Sequence, residues 1–194
     1  VNLYSKDKSP SPTRAGATAR AVFSGGLYPA SLLEAVMLRI RAERDITWGR
    51  AAIIKAYYLK NPHTDCPEEV LTVSLNEAST NIPYTLGRLF SVYEATQQTA
   101  NPGINTTIKD KYFNSAAAMP ASIFPVLNNL YQKHLRTLET GQRVYFDKQV
   151  STLKGVLGES YPTRMTLAQQ GSFDLGYYHQ TQKRYTKKEE KENV

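Results

Sequence analysis

The sequence predicts an all-α protein: a bundle of antiparallel amphipathic helices with an upstream helical hairpin. Three observations carry that prediction. Apolar residues recur at i, i+3, i+4 and i+7, the period of a helix with one buried face. No stretch of any length shows the period-two alternation of a half-buried strand. Strong breakers, among them Asn61-Pro62, Asn101-Pro102-Gly103 and Met119-Pro120, divide the periodic stretches into helix-sized lengths.

Taken in order, residues 1–16 are polar and contain Ser9-Pro10-Ser11-Pro12, which predicts a disordered or loop segment. Residues 17–60 read as the helical hairpin. Ala17–Phe23 fits a short helix or a strand, and Ser24-Gly25-Gly26 makes a turn. Ser31 with Glu34 three residues on predicts a capping box, in which each side chain satisfies an orphan backbone N–H. Leu32, Leu33, Val36, Met37 and Ile40 then form a buried stripe, with Arg39, Arg41 and Arg44 outside it. Thr47 is placed as the cap of a second helix running to Lys60. Ala51, Ile54 and Tyr58 share its inner face, with Arg50 beside them.

Residues 61–80 are proline-punctuated and polar, the composition of a linker. The bundle proper is expected over 81–188, with 189–194 as a tail. Its first helix starts near Pro83, which suits a first turn because its missing N–H is not needed there. Leu86, Leu89, Phe90 and Tyr93 form its inner face, and Arg88 is placed opposite them. A shorter helix, about Thr106–Ser115, carries Lys109, Lys111, Tyr112 and Phe113, and Ala116-Ala117-Ala118 permits close approach to a neighbour. The next begins at Ser122 as N-cap, holds Pro125 in its first turn, buries Ile123, Leu127 and Leu130, and ends at Gly141. Asn129, Gln132, Lys133 and Arg136 occupy its opposite face. A further helix to Leu157 buries Phe146, Val150, Leu153 and Leu157, with Arg143 and Asp147 spaced for an i, i+4 ion pair. After a loop at Gly158–Pro162, Thr166 caps the last helix. Leu167, Leu175 and Tyr178 face inward there, and Gly171 and Gly176 admit a close neighbour.

Composition bounds the function. The chain has 194 residues, 41% of them hydrophobic, enough to build a core. A net charge of +7 with a pI near 9.4 favours an acidic partner, nucleic acid before a membrane surface. No apolar run approaches the ~18 residues of a spanning helix, and VNLYSKDKSPSPTR lacks the apolar centre of a secretory signal. A single cysteine, Cys66, precludes an internal disulfide and fits a reducing compartment. The expectation is a soluble cytoplasmic protein.

Chemistry-bearing constellations are sparse. His63-x-x-Cys66 has ligand-like spacing but supplies two of the three or four ligands that zinc requires. His134 and His179 lie in helical stretches and are expected to hydrogen-bond within the bundle. Gly25-Gly26 is followed by neither Lys-Ser nor Lys-Thr, so no phosphate loop is present, and no carboxylate cluster suits two-metal chemistry. The reading is a protein without catalysis, cofactor or metal. Tyr57-Tyr58 and Tyr177-Tyr178 read as core or core-edge residues rather than stacking platforms. The cations are more informative. Lys133 and Arg136 lie three apart on one helical face and can straddle successive phosphates. Arg88, Lys109, Lys111, Arg143, Lys148, Lys183 and Arg184 complete the candidate nucleic-acid-binding set.

GRLF (87–90), NPGI (101–104), KYF (111–113), Pro120-Ala-Ser-Ile-Phe-Pro125 and GYYHQ (176–180) together resemble one family: the large subunit of the type I-C CRISPR interference complex, Cascade, in its C-terminal region. The segment RAVFSGGLYPASLLEAVMLRIRAERDITWGRAAIIKAY (20–57) is similar to the part preceding it, so the resemblance covers most of 17–188. It implies a product resembling the internally translated small subunit, starting near Val70–Val73, and a chain that is a piece of the large subunit. Val1 in place of Met agrees with such a piece. It also implies a helical bundle that holds target DNA and the displaced strand while guide RNA pairing supplies sequence specificity. The implied partners are the guide RNA ribonucleoprotein, the other Cascade backbone subunits and a recruited helicase-nuclease, with no membrane. The competing readings are a protein–protein scaffold whose basic face meets an acidic protein and, more remotely, a metal-dependent enzyme.

Overall fold

The computed structural model describes residues 12–37, 44–61, 66–72 and 74–192. Eight α-helices run through them: α1 (Pro12–Phe23), α2 (Ala30–Met37), α3 (Arg44–Lys60), α4 (Ile82–Ala100), α5 (Ile108–Ala118), α6 (Pro120–Thr137), α7 (Thr140–Leu157) and α8 (Leu167–Glu192). A 3₁₀ turn at Glu68–Val70 precedes α4, and no strand occurs among the described residues. The fold is the helical bundle that the periodicity predicts.

The architecture is a wrapping of α4. Helices α8, α7, α6 and α5 all pack against it, while α3 lies along α8. Asn81 caps α4 by accepting from the Tyr84 N–H at 3.2 Å, and Pro83 sits in its first turn. The predicted inner face, Leu86, Leu89, Phe90 and Tyr93, is buried. So is every other residue from Tyr84 to Gln97. Three of its buried polar side chains find partners: Ser91 meets Thr181 at 2.8 Å, Tyr177 donates to Glu94, and Gln97 accepts from the Ile108 N–H at 2.8 Å. Asn101 ends the helix, and Gly103 takes φ +83° in the turn that follows.

Helices α4 and α8 touch through their backbones. A Cβ on Gly87 would lie 1.9 Å from the Phe173 carbonyl oxygen, and one on Gly176 would lie 2.0 Å from that of Tyr84. Around this crossing Phe90, Phe113, Phe173 and Tyr177 meet edge to face with centroids 5.0 to 5.9 Å apart. Thr166 caps α8 as predicted, its Oγ1 accepting from the Gln169 N–H at 3.2 Å. Gln169 returns an acceptor to the Thr166 N–H at 2.8 Å.

The upstream helices dock onto α8. Tyr28 donates to Asp174 at 2.5 Å, Tyr58 donates to the Ala168 carbonyl, and the Tyr58 ring fills the space beside Gly171. The predicted inner face of α3, Ala51, Ile54 and Tyr58, is buried. Residues 66–72 and 74–80, part of the expected linker, lie against the bundle. Glu69 and Val70 are buried, and Glu69 accepts from Ser79 and, at 3.3 Å, from Asn81.

Several boundaries differ from expectation. Helix α1 begins at Pro12, takes in residues expected as loop, and settles Ala17–Phe23 as helix. Helix α2 starts at Ala30, so Ser31 falls inside its first turn and is not its cap. Helix α3 starts at Arg44, three residues before Thr47. Helix α6 starts at Pro120, which places Ser122 inside the first turn and Pro125 deeper, where it is exposed and leaves the Ala121 carbonyl without its i+4 donor. Gly141 lies in the first turn of α7; Leu138 is the residue that ends α6. The stripe Phe146, Val150, Leu153 and Leu157 is buried as predicted. Arg143 donates to the Arg136 and Leu138 carbonyls, at 3.4 and 3.1 Å, rather than to Asp147. Ile40, Arg39, Arg41, Pro62, His63 and residues 1–11 fall outside the described residues, as do 193–194 of the expected tail, whose residues 189–192 instead continue α8.

The buried seam of α6 is also rotated from the predicted one. It runs Phe124, Leu127, Tyr131 and Leu135, while Ile123 and Leu130 are partly buried beside it. Tyr93 stacks on Tyr131 at 4.9 Å, so aromatic contacts with α4 set the rotation. Leu127→Ala should therefore cost ~2–5 kcal/mol in urea unfolding, and Leu130→Ala clearly less. Equal losses would show that the seam is centred elsewhere.

Candidate nucleic-acid interface

The nine candidate cations differ in environment. Arg88 and Lys109 are held inside the bundle. Arg88, placed by the sequence on an outer face, is 5% exposed; it donates to Gln180 and to the Asn76 and Glu77 carbonyls, each at 3.2 Å. Its guanidinium ties the 76–77 loop to α4 and α8. The Lys109 amine is drawn over three rings, 4.5 Å from the Tyr177 centroid, 4.9 Å from Tyr178 and 5.3 Å from Phe113. Withdrawal from water pushes its pKa down to about 8, partly offset by Glu94.

Lys183 pairs with Glu77, and Arg184 donates to Gln98 at 2.9 Å while lying 5.5 Å from the Tyr185 ring centroid. Both are half-buried at the α4–α8 edge. Arg143 is exposed, with its head group on the last carbonyls of α6, where a cation complements the helix C-terminus.

Lys111, Lys133, Arg136 and Lys148 are exposed and have no hydrogen-bond or ion-pair partner among the described residues. Lys133 and Arg136 stand three apart on the outer side of α6, opposite the Leu127–Tyr131 seam. The Arg143 head group meets the Arg136 carbonyl, so three cations gather where α6 turns into α7. The chemistry available is monopolar: positive charge on rigid helices, with flexible heads able to meet phosphates.

Sequence reasoning passed over Arg164, exposed in the loop before α8, and Tyr145, exposed on α7. The signal for Tyr145 was present. It stands one residue before Phe146, about 100° around the helix from the buried stripe. His179 and His134 hydrogen-bond within the fold, His179 Nδ1 to the Tyr84 hydroxyl at 2.9 Å and His134 Nδ1 to Asn101 at 3.1 Å. Among the described residues no three His, Cys, Asp or Glu side chains gather as a metal set, and no helix is long and apolar enough to cross a membrane.

Fold and surface together define a basic helical-bundle protein with its unpaired charge on outer helix faces. The family model described as CRISPR-associated protein (Cas_Csd1) matches residues 1–185. The chain belongs to that family and is a Cascade-type component, as the motifs at 87–90, 101–104 and 176–180 led us to expect. A comparison with curated proteins gave no match.

Proposed function

We propose that this chain is a non-catalytic, nucleic-acid-binding part of a cytoplasmic type I-C interference complex. It corresponds to the C-terminal region of the large subunit and holds target DNA and the displaced strand during R-loop formation. Guide RNA pairing supplies sequence specificity, the other backbone subunits set its position, and the helicase-nuclease is recruited to the assembly. The observation that carries this is the free pair Lys133 and Arg136 on α6, joined at the α6–α7 turn by Arg143. Residues three apart on a helix lie about 5–6 Å apart at Cβ, so both can reach one stretch of phosphate backbone. Lys111 and Lys148 are the further free contacts, and Lys183 and Arg184 stand half-buried at the α4–α8 edge. Arg88 and Lys109 act within the fold.

Replacing Lys133 and Arg136 together by Ala should leave folding nearly intact, since exposed charges add little stability. It should weaken DNA binding alike for all sequences, because phosphate contacts position without reading bases. The slope of log affinity against log salt should become shallower by roughly one to two units. An unchanged affinity and slope would count against this face.

A scaffold reading draws on a different observation. Phe23, Leu27, Leu59 and Leu71 are each more than 60% exposed, which suits an apolar protein contact. Binding through that contact would show little of the steep salt dependence that phosphate neutralisation produces.

A further inference from the structure

Most tyrosines among the described residues are buried, and that makes the one exposed tyrosine informative. Tyr28, Tyr57, Tyr58, Tyr84, Tyr93, Tyr131, Tyr177 and Tyr178 are all buried. Among the described residues Tyr145 is the one exposed tyrosine, at 49%. Its ring does not float. It meets the buried Phe146 edge to face, centroids 5.3 Å apart, so the core side chain braces it.

Its surroundings are basic. Lys148, one turn on along α7, is exposed and shares the Tyr145 side of the helix. Gln149, the next residue on that side, accepts from Gln180 of α8 at 3.4 Å. One turn further along α8, Arg184 is fixed by Gln98 and lies over the half-buried Tyr185. The edge between α7 and α8 thus presents a braced ring, a second ring under a guanidinium, and a free ammonium. It is distinct from the Lys133–Arg136 side, because Arg143, which reaches toward α6, leaves α7 on nearly the opposite face from Tyr145.

We propose that this edge is a stacking platform for single-stranded nucleic acid, with Tyr145 taking the face of an unpaired base and Lys148 and Arg184 meeting the adjoining phosphates. The choice of occupant follows from the chemistry. A duplex hides its base faces, so an exposed ring finds nothing to stack on along it. A single strand offers both, and base–aromatic stacking tolerates any sequence. This inference rests on the nucleic-acid reading above and narrows it to a strand type and a residue.

The test uses the full chain and measures fluorescence anisotropy with a labelled mixed-sequence 20-mer, single-stranded and as its duplex, at several salt concentrations. Tyr145→Ala should weaken single-strand binding roughly 5- to 150-fold and leave duplex binding unchanged. The salt slope should stay the same, because no phosphate contact is lost. Tyr145→Phe, which keeps the ring, should bind like the native chain. A Tyr145→Ala chain that binds single strands as tightly as native would overturn the platform. If Lys133/Arg136 replacement still weakens binding in that case, the nucleic-acid reading survives alone. Equal losses on single strand and duplex would also refute stacking. If the native chain binds neither strand form, both readings fall.

Discussion

Gly87→Ala should destabilise the bundle by more than about 4 kcal/mol. The added methyl carbon would lie 1.9 Å from the Phe173 carbonyl oxygen, a backbone atom of a helix packed along its length. Neither backbone can yield without separating α4 from α8, and α4 is where every other bundle helix is anchored. Gly176→Ala meets the Tyr84 carbonyl oxygen at 2.0 Å and should act alike. Gly155→Ala is the control. That glycine lies inside α7 with nothing within 4 Å of the added carbon, so the change should stabilise by ~0.5–1 kcal/mol through helix propensity and the unfolded chain. Urea midpoints of the three variants give the answer. A Gly87→Ala chain as stable as Gly155→Ala would mean that the helices do not cross where the geometry has them.

Acidification should remove the second large increment of stability. His179 is fully buried, its Nδ1 engaged by Tyr84, while its Nε2 has no hydrogen-bond partner among the described residues. Protonation would create a buried cation with an N–H that no described acceptor receives, and Lys55 would repel it. Burial, first, and Lys55, second, push the pKa down to about 3, against 6.5 for a free ring. The unfolded chain therefore takes up a proton near pH 6.5 that the folded chain refuses until about pH 3. The stabilisation is fully present above pH 6.5 and is lost as pH falls through that window, by an amount on the order of 4–5 kcal/mol. His179→Gln keeps a hydrogen-bonding side chain beside Tyr84 but cannot titrate, so its stability should vary less between pH 6.5 and 4. Parallel pH profiles for the two chains would refute the assignment.

The helices were legible in the sequence because their inner faces follow local periodicity and their ends carry local punctuation. Phe146, Val150, Leu153 and Leu157 could be read from spacing alone, and Thr166 from its place before an apolar run. What failed was whatever depends on a distant neighbour. Thr85, Arg88, Ser91 and Glu94 read as the polar side of an amphipathic helix, yet they are buried. The partners of Arg88, Ser91 and Glu94, which are Gln180, Thr181 and Tyr177, stand some ninety positions later, beyond the reach of any local pattern. The same cause misplaced Arg88 and Lys109 among the outward cations. A charged side chain in a helix looks the same in sequence whether it meets water, a carbonyl or three aromatic rings. Lys133 and Arg136 came out where spacing put them, because none of the described residues covers that side of α6. The rotation of the α6 seam from Leu130 toward Tyr131 likewise needed the Tyr93 ring to be seen.

The enclosure of α4 also has a consequence in time. A ribosome completes α4 long before α8, its most extensive partner, has been made. At roughly 5–20 residues per second, the stretch between Gln97 and Tyr185 takes on the order of 4–18 s to translate. Throughout that interval a helix built to be covered on every side has only its nearer neighbours for company. The nascent chain should therefore engage holding chaperones over this window. Release once the Gly176 region has emerged from the ribosome, detectable in a series of stalled chains of increasing length, would mark the moment at which α8 closes over α4.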